Sequence, residues 1–328
     1  MNTHESSIKK TFRVWKIVRT FAYMQKQTIP FRPVTLSDKL LIERYTAPCD
    51  YRNCDLNFMN ICSWLFLYGT ELAIVDEWLV FRFHTHGHLA YMMPIGKGNL
   101  SNIIKAIEAD ATAAEQPLLI IGACEFFVER LEQAMPGKFH FANERDYSDY
   151  IYKRTDLASL AGKHLQAKRN YVNRFLHTYP NYEYRPLTAD LIPLCLELEE
   201  QWIETKEEMQ NDTNYNHEQK SMKYVFNHWQ ELDGLGGTLF VDKKLIAFTF
   251  GAPINNCTFD VCVEKADNSL IGAYALINRD FAAHIPEKYT WVNREEDLGI
   301  PGLRQAKLSY HPAILLHKYS AFSKHFTL

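Results

Sequence analysis

Three short apolar runs, LAIVD (72–76), LVFRFH (79–84) and HLAYMMPI (88–95), follow one another with only two or three residues between them. Gaps that short leave no room for crossover helices, so the runs predict an antiparallel meander. SWLFLYG (63–69) reads as a further strand ahead of them, and Ser37-Asp38 open a helix near 36–45. After the meander come a helix over 100–114, a short buried strand PLLIIGA, and a helix CEFFVERLEQAM ended by Pro136-Gly137. FHFANERDYSDYIYKR reads as two short strands.

The second half repeats this order of elements without repeating residues. LAGKHLQAKRNYVNRFLHTYP is a helix stopped at Pro180, and YEYRPL is a strand. TADLIPLCLELEEQWIETK, with Thr188 as N-cap, and NHEQKSMKYVFNHWQEL are helices. GTLFVD-KK-LIAFTFGAPI is a hairpin, CTFDVCVEKAD a strand, SLIGAYALINRDFAAHI a helix, and KYTWVN and AILLHKYSA are strands. The expected fold is α+β: two tandem units, each a mostly antiparallel sheet covered by helices. A length of 328 residues suits two cores. The expected division is an arm over 1–28, a first unit over 29–155 and a second over 156–328.

Hydrophobic residues at 47% and charged residues at 23% are a globular composition. A net charge of −3 argues against a chain that binds polyanions with its whole surface, leaving only a local basic face. No apolar run approaches membrane-spanning length. The arm is basic, with Glu5 its one acid, and would either touch an anionic membrane or simply fray. Seven irregularly spaced cysteines without a CxxC indicate reduced thiols and a cytoplasmic location. His84, His86 and His88 flank Gly87 at an expected hairpin tip, which separates the imidazoles, so no metal is expected. No phosphate-loop or dinucleotide fingerprint occurs.

DYIYKRTDLASLAGKHLQAKRNYVNRF, FDVCVEKAD, IGAYALINRDFA and NREEDLGIPGLRQAKLSYHP together resemble the bacterial family related to the C-terminal domain of phosphatidylglycerol lysyltransferases. That family is a tandem form of the GNAT (acyl-CoA N-acyltransferase) fold, and the resemblance covers residues 29–320. It implies transfer of an acyl or aminoacyl group, from acyl-CoA or aminoacyl-tRNA, to an amine on a small molecule, peptide or lipid head group. It implies no permanently bound cofactor. The chain departs from the GNAT pyrophosphate loop, (Arg/Gln)-x-x-Gly-x-(Gly/Ala). Ser269 and Tyr274 replace its first and last residues, and only Gly272 matches.

On the helix 162–179, 100° steps put Leu165, Val172, Leu176 and Tyr179 on one stripe and Lys163, Asn170, Arg174 and His177 opposite. Lys168 and Arg169 fall at the stripe's edge, either snorkelling or lining a cleft that binds an anion. Strand alternation places Asp260, Cys262 and Glu264 on one face. Glu264 is either half of an ion pair or the base that deprotonates an attacking amine. In WVNREEDLGIPGLRQAKLSYHP, Pro301 opens a short helix on which Arg304 and Lys307 share a face. The acids ahead of it suit the helix dipole or hold a substrate ammonium, and Lys307 would neutralise a phosphate or oxyanion. The candidate catalytic residues are Glu264 and Tyr310. The candidate substrate-binding residues are Lys168, Arg169, Asn170, Arg174, Tyr274, Asn278, Asn293, Arg294, Glu296, Asp297, Arg304 and Lys307. The alternative is a non-catalytic module of the same fold that binds a small anionic or peptide ligand.

Overall fold

The computed structural model describes residues 29–204 and 213–323; the basic arm 1–28 lies outside them. The strands are β1 (Arg32–Pro33), β2 (Glu71–Val75), β3 (Trp78–Thr85), β4 (His88–Met92), β5 (Ile95–Gly96), β6 (Leu119–Cys124), β7 (Phe139–Asn143) and β8 (Asp149–Lys153). They continue with β9 (Glu183–Pro186), β10 (Leu235–Val241), β11 (Lys244–Pro253), β12 (Thr258–Ala266), β13 (Trp291–Asn293), β14 (Ile314–Leu316) and β15 (Lys318–Ser323). The helices of the first half are α1 (Lys39–Thr46), α2 (Phe58–Ser63), α3 (Leu65–Tyr68), α4 (Leu100–Ala113) and α5 (Glu125–Ala134). Those of the second are α6 (Arg154–Ser159), α7 (Gln166–Thr178), α8 (Ile192–Glu204), α9 (Thr213–Asn227), α10 (Trp229–Leu232), α11 (Ala273–His284) and α12 (Pro301–Leu308).

Two sheets form, ordered β1-β2-β3-β4-β6-β15-β7, with β5 beside β3, and β14-β8-β13-β12-β11-β10-β9. They interlock. β8 pairs with β13 and β14 in the second sheet, whereas β15 pairs with β6 and β7 in the first. AILLHKYSA, expected as one strand, is therefore two strands in different sheets with only His317 between them. An apolar run with no turn residue carries no local mark of such a crossing. SWLFLYG is also not a strand but the end of α2 together with α3. The side chain of Asn57 caps α2 by accepting from the Met59 N–H at 2.9 Å, and Gly69, at φ 57°, stops α3. Those caps outweigh the strand preference of the aromatic residues.

Helices α4 and α5 cover the outer face of the first sheet through Ile103, Ile104, Ile107, Phe127 and Leu131. Helices α6, α7 and α11 cover the outer face of the second through Leu157, Val172, Phe175, Leu276 and Phe281. A third core joins the two sheets. Leu72, Leu79 and Phe81 of the first meet Phe240, Phe248 and Phe250 of the second, with α2, α8 and α9 between them.

Two features of β12 position the site. Its parallel pairing with β13 runs from Thr258↔Trp291 to Asp260↔Asn293 and then stops, while β12 continues to Ala266. The two strands thus fork after Asp260. Against β11, Val263 faces Phe250 and Val261 faces Gly251, so Cys262 is an extra residue in a β-bulge. The bulge reverses the alternation. Asp260 and Cys262 turn toward Asn57 ahead of α2, and Glu264 turns toward Asn278 on α11. The expectation that all three share one face is corrected by this extra residue. The bulge needs Gly251, where a Cβ would stand 1.8 Å from the Asp260 carbonyl oxygen. Gly251→Ala is expected to destabilise the fold by about 2 kcal/mol or more, as a lowered urea midpoint.

Candidate functional site

Glu264 lies on the α7–α11 side of the fork. Its carboxylate accepts from Arg294 Nη2 at 2.9 Å and from Asn278 Nδ2 at 3.0 Å. The Arg294 guanidinium is 4.8 Å from the centre of the Tyr310 ring and 5.8 Å from that of Tyr152. Lys168 lies 4.2 Å from the Tyr310 ring centre. Burial and the nearby Arg294 charge lower the Lys168 pKa, and burial raises that of Tyr310. Two buried polar atoms here have no hydrogen-bond partner: Nη1 of Arg294 and Oδ1 of Asn278. Five of the predicted residues, Lys168, Asn278, Glu264, Arg294 and Tyr310, thus converge on one cluster.

Across the sheet, Asn57 donates to Asp260 Oδ2 at 3.0 Å and to Cys262 Sγ at 3.4 Å. Asn60 donates to the same Asp260 oxygen at 3.2 Å and to Glu295 at 2.8 Å. Burial holds the Asp260 and Glu295 carboxyls well above the ordinary range. The Asp149 charge adds to the shift at Asp260, and that of Asp260 to the shift at Glu295.

Lys318 occupies the seam between the sheets. Its ammonium is 2.9 Å from Asp149, 3.0 Å from Asp55, 3.6 Å from Cys54 Sγ and in contact with Glu296. Asp149, with no exposed surface, also accepts from the Cys54 N–H and from Asn293 Nδ2, both at 2.8 Å. Asp297 is the hub of a separate network. It accepts from Arg145 at 3.0 Å, Arg304 Nε at 2.9 Å, the Gly299 N–H at 2.9 Å and the Tyr150 hydroxyl. Lys307 donates to the backbone carbonyls of Arg294 and Glu296 and so holds the turn between them.

The remaining predicted residues therefore sit apart from the Arg294 cluster. Asn293, Glu296, Asp297, Arg304 and Lys307 hold the loop that carries Arg294. Arg169 donates to the Gly162 and Leu160 carbonyls beyond the end of α6. Asn170 and Arg174 are exposed on α7, and Tyr274 packs at the margin of the outer core of the second sheet. Sequence reasoning missed Asp149, Lys318, Asn57 and Asn60. A lysine inside the apolar run AILLHKYSA and two asparagines three apart in LNFMN were the available signals.

The pKa of Asp149 is pushed up to about 6 from 3.8, by burial first and then by the charges of Glu296 and Asp55 against the opposing pull of Lys318. The folded state therefore holds a proton there that the unfolded chain releases. Its contribution is present below about pH 4 and is lost as pH rises toward about 6. Relative to Asp149→Asn, the native protein is expected to lose stability through that window, measured by urea unfolding at stepped pH.

A family described as phosphatidylglycerol lysyltransferase, C-terminal, matches residues 46–322. A conserved protein of unknown function from Bacteroides thetaiotaomicron is 48% identical, with a TM-score of 0.88 over 90% of this chain and 100% of that one. The C-terminal domain of a putative lysylphosphatidylglycerol synthetase from Agrobacterium fabrum shares the fold at 11% identity and a TM-score of 0.64, over 88% and 92% of the two chains. FemX does so at 7% and 0.57, over 89% and 97%. An uncharacterized protein of Mycoplasmoides gallisepticum is 21% identical over 173 residues, 52% of this chain and only 55% of its own length. The two layered sheets have the tandem GNAT architecture of such proteins. Since the family match spans most of the sequence, the chain belongs to the family of phosphatidylglycerol lysyltransferase C-terminal domains.

Proposed function

We propose that the chain transfers an aminoacyl or acyl group to an amine or head-group acceptor at the fork between β12 and β13, on the side of Glu264 and Arg294. The observation that carries this reading is the pair of buried, unpartnered atoms flanking Glu264, Arg294 Nη1 and Asn278 Oδ1. A donor and an acceptor left unmatched in the interior cost about 1–3 kcal/mol each. A group that offers a carbonyl oxygen to one and an N–H or O–H to the other removes both costs. An aminoacyl ester has both.

The acceptor's lone pair attacks the acyl carbonyl, and the electrons of the C=O bond move onto oxygen. Arg294 Nη1 stabilises that oxyanion, at a position fixed by Glu264 and by the Tyr310 ring. Glu264 takes the proton from the attacking amine, and the intermediate collapses by expelling the leaving alkoxide or thiolate, which is then protonated. Lys168 adds positive charge at the mouth of the site, suited to a phosphate on donor or acceptor. The start of α11 favours an ester donor over acyl-CoA. A Cβ on Gly272 would lie 2.5 Å from the Tyr171 carbonyl oxygen, so its backbone serves close packing against α7. Ser269 donates to Asp267 through both its N–H (2.9 Å) and its hydroxyl (2.6 Å), which sets a carboxylate in the loop where GNAT enzymes hold pyrophosphate. No helix among the described residues is long and apolar enough to cross a membrane. For a lipid acceptor, the basic arm 1–28 is the proposed contact with an anionic surface.

The test is the double variant Glu264→Gln/Arg294→Gln, which removes both charges together and leaves neither buried alone. Transfer from aminoacyl-tRNA, and separately from acyl-CoA, to amine and phospholipid acceptors is expected to fall by about 100-fold or more, with Tm nearly unchanged. Undiminished transfer by that variant, or the failure of every donor to raise the native Tm, overturns the reading.

A further inference from the structure

We propose that Asp260, Cys262 and Glu295 form a binding site for one divalent metal ion of the zinc class, on the side of the fork opposite Arg294. The site is independent of the transfer chemistry. Donor atoms of the three residues lie within 4.8 Å of one another, and Cys262 Sγ is 3.8 Å from Asp260 Oδ2. Tetrahedral zinc, with bonds of about 2.3 Å to sulfur and about 2.0 Å to oxygen, sets those atoms about 3.5 Å apart. Small side-chain rotations close the set. Asp260 and Cys262, two apart on a strand, point the same way and form a chelate. Glu295 reaches in from the other arm of the fork. Asn57 bridges Asp260 and Cys262, and Asn60 bridges Asp260 and Glu295. That is the outer-shell bonding that orients metal ligands.

Two observations point to a cation. Asp260 has no exposed surface, and its Oδ1 has no hydrogen-bond partner, an arrangement native interiors rarely keep. Beside it stands a second group of the same composition, Cys54, Asp55 and Glu296, built around the Lys318 ammonium. Among the described residues Asp260 and Glu295 make no direct ion pair with a lysine or arginine; the Lys307 ammonium acts on Glu295 only through space and donates to the Arg294 and Glu296 carbonyls. One group thus has its positive charge from the chain, and the other is completed by an ion. A thiolate with carboxylates selects zinc or its neighbours over magnesium or calcium, which prefer oxygen alone.

The full chain, stripped with a chelator, is titrated with Co²⁺ and then Zn²⁺. One equivalent of cobalt is expected to give tetrahedral visible absorption and a thiolate charge-transfer band, both bleached by zinc. Cys262→Ser should lose that band, and Cys54→Ser should keep it. Glu295→Gln should weaken zinc by about 10-fold or more, with circular dichroism reporting retained fold. The absence of stoichiometric binding, a band that survives Cys262→Ser, or native zinc affinity in Glu295→Gln overturns the site.

Discussion

The ammonium of Lys318 is the contact on which the architecture turns. It is buried at the point where the chain passes from the second sheet to the first, and its carboxylate partners come from three different places. Asp149 begins β8, Asp55 lies ahead of α2, and Glu296 follows β13. Each charge is tolerable in the interior only because the others are there. The lysine therefore fixes the seam between the sheets and the course of the loop that carries Arg294.

From that seam the fork and the bulge divide the chemistry. Had β12 kept its alternation, Asp260, Cys262 and Glu264 would face the same neighbours. One extra residue sends Glu264 to a guanidinium and two aromatic rings, and leaves Asp260 with two amides and a thiol. The run Arg294-Glu295-Glu296-Asp297 is divided in the same way. Arg294 goes to one side of the sheet and Glu295 to the other, Glu296 to the seam and Asp297 to a hub of arginines. The charge density of that stretch reflects four separate environments reached from four consecutive residues. Glu295, at φ 56°, takes a backbone conformation uncommon outside glycine to do so.

Much of this was legible in the sequence. The meander, the hairpin at Asp242-Lys243, the apolar stripe of α7 and the short helix behind Pro301 follow from local periodicity and turn chemistry, which act over a few residues. Lys168 stands out at the edge of the α7 stripe and Arg294 in the charged stretch ahead of Pro301, but their meeting beside Glu264 is set by packing between distant segments. What stayed hidden depends on distant partners. The bulge at Cys262 is set by a close approach to Gly251 in the neighbouring strand, and the crossing at His317 by which strands offer free edges. The strand expected at SWLFLYG fails for a local reason, since helix capping by Asn57 and Gly69 outweighs the strand preference of its aromatic residues.

The placement of β15 bears on how the molecule is assembled during synthesis. β7 pairs only with β15 among the described strands, and β6 relies on it along one edge. Residues 318–323 leave the ribosome after the whole second sheet has been made. Until then the first half carries an apolar strand with an open edge, the kind of surface that invites stray pairing. The amino-terminal half cannot complete itself as it emerges, and the closing step for its sheet is the arrival of one late segment from the other end of the chain.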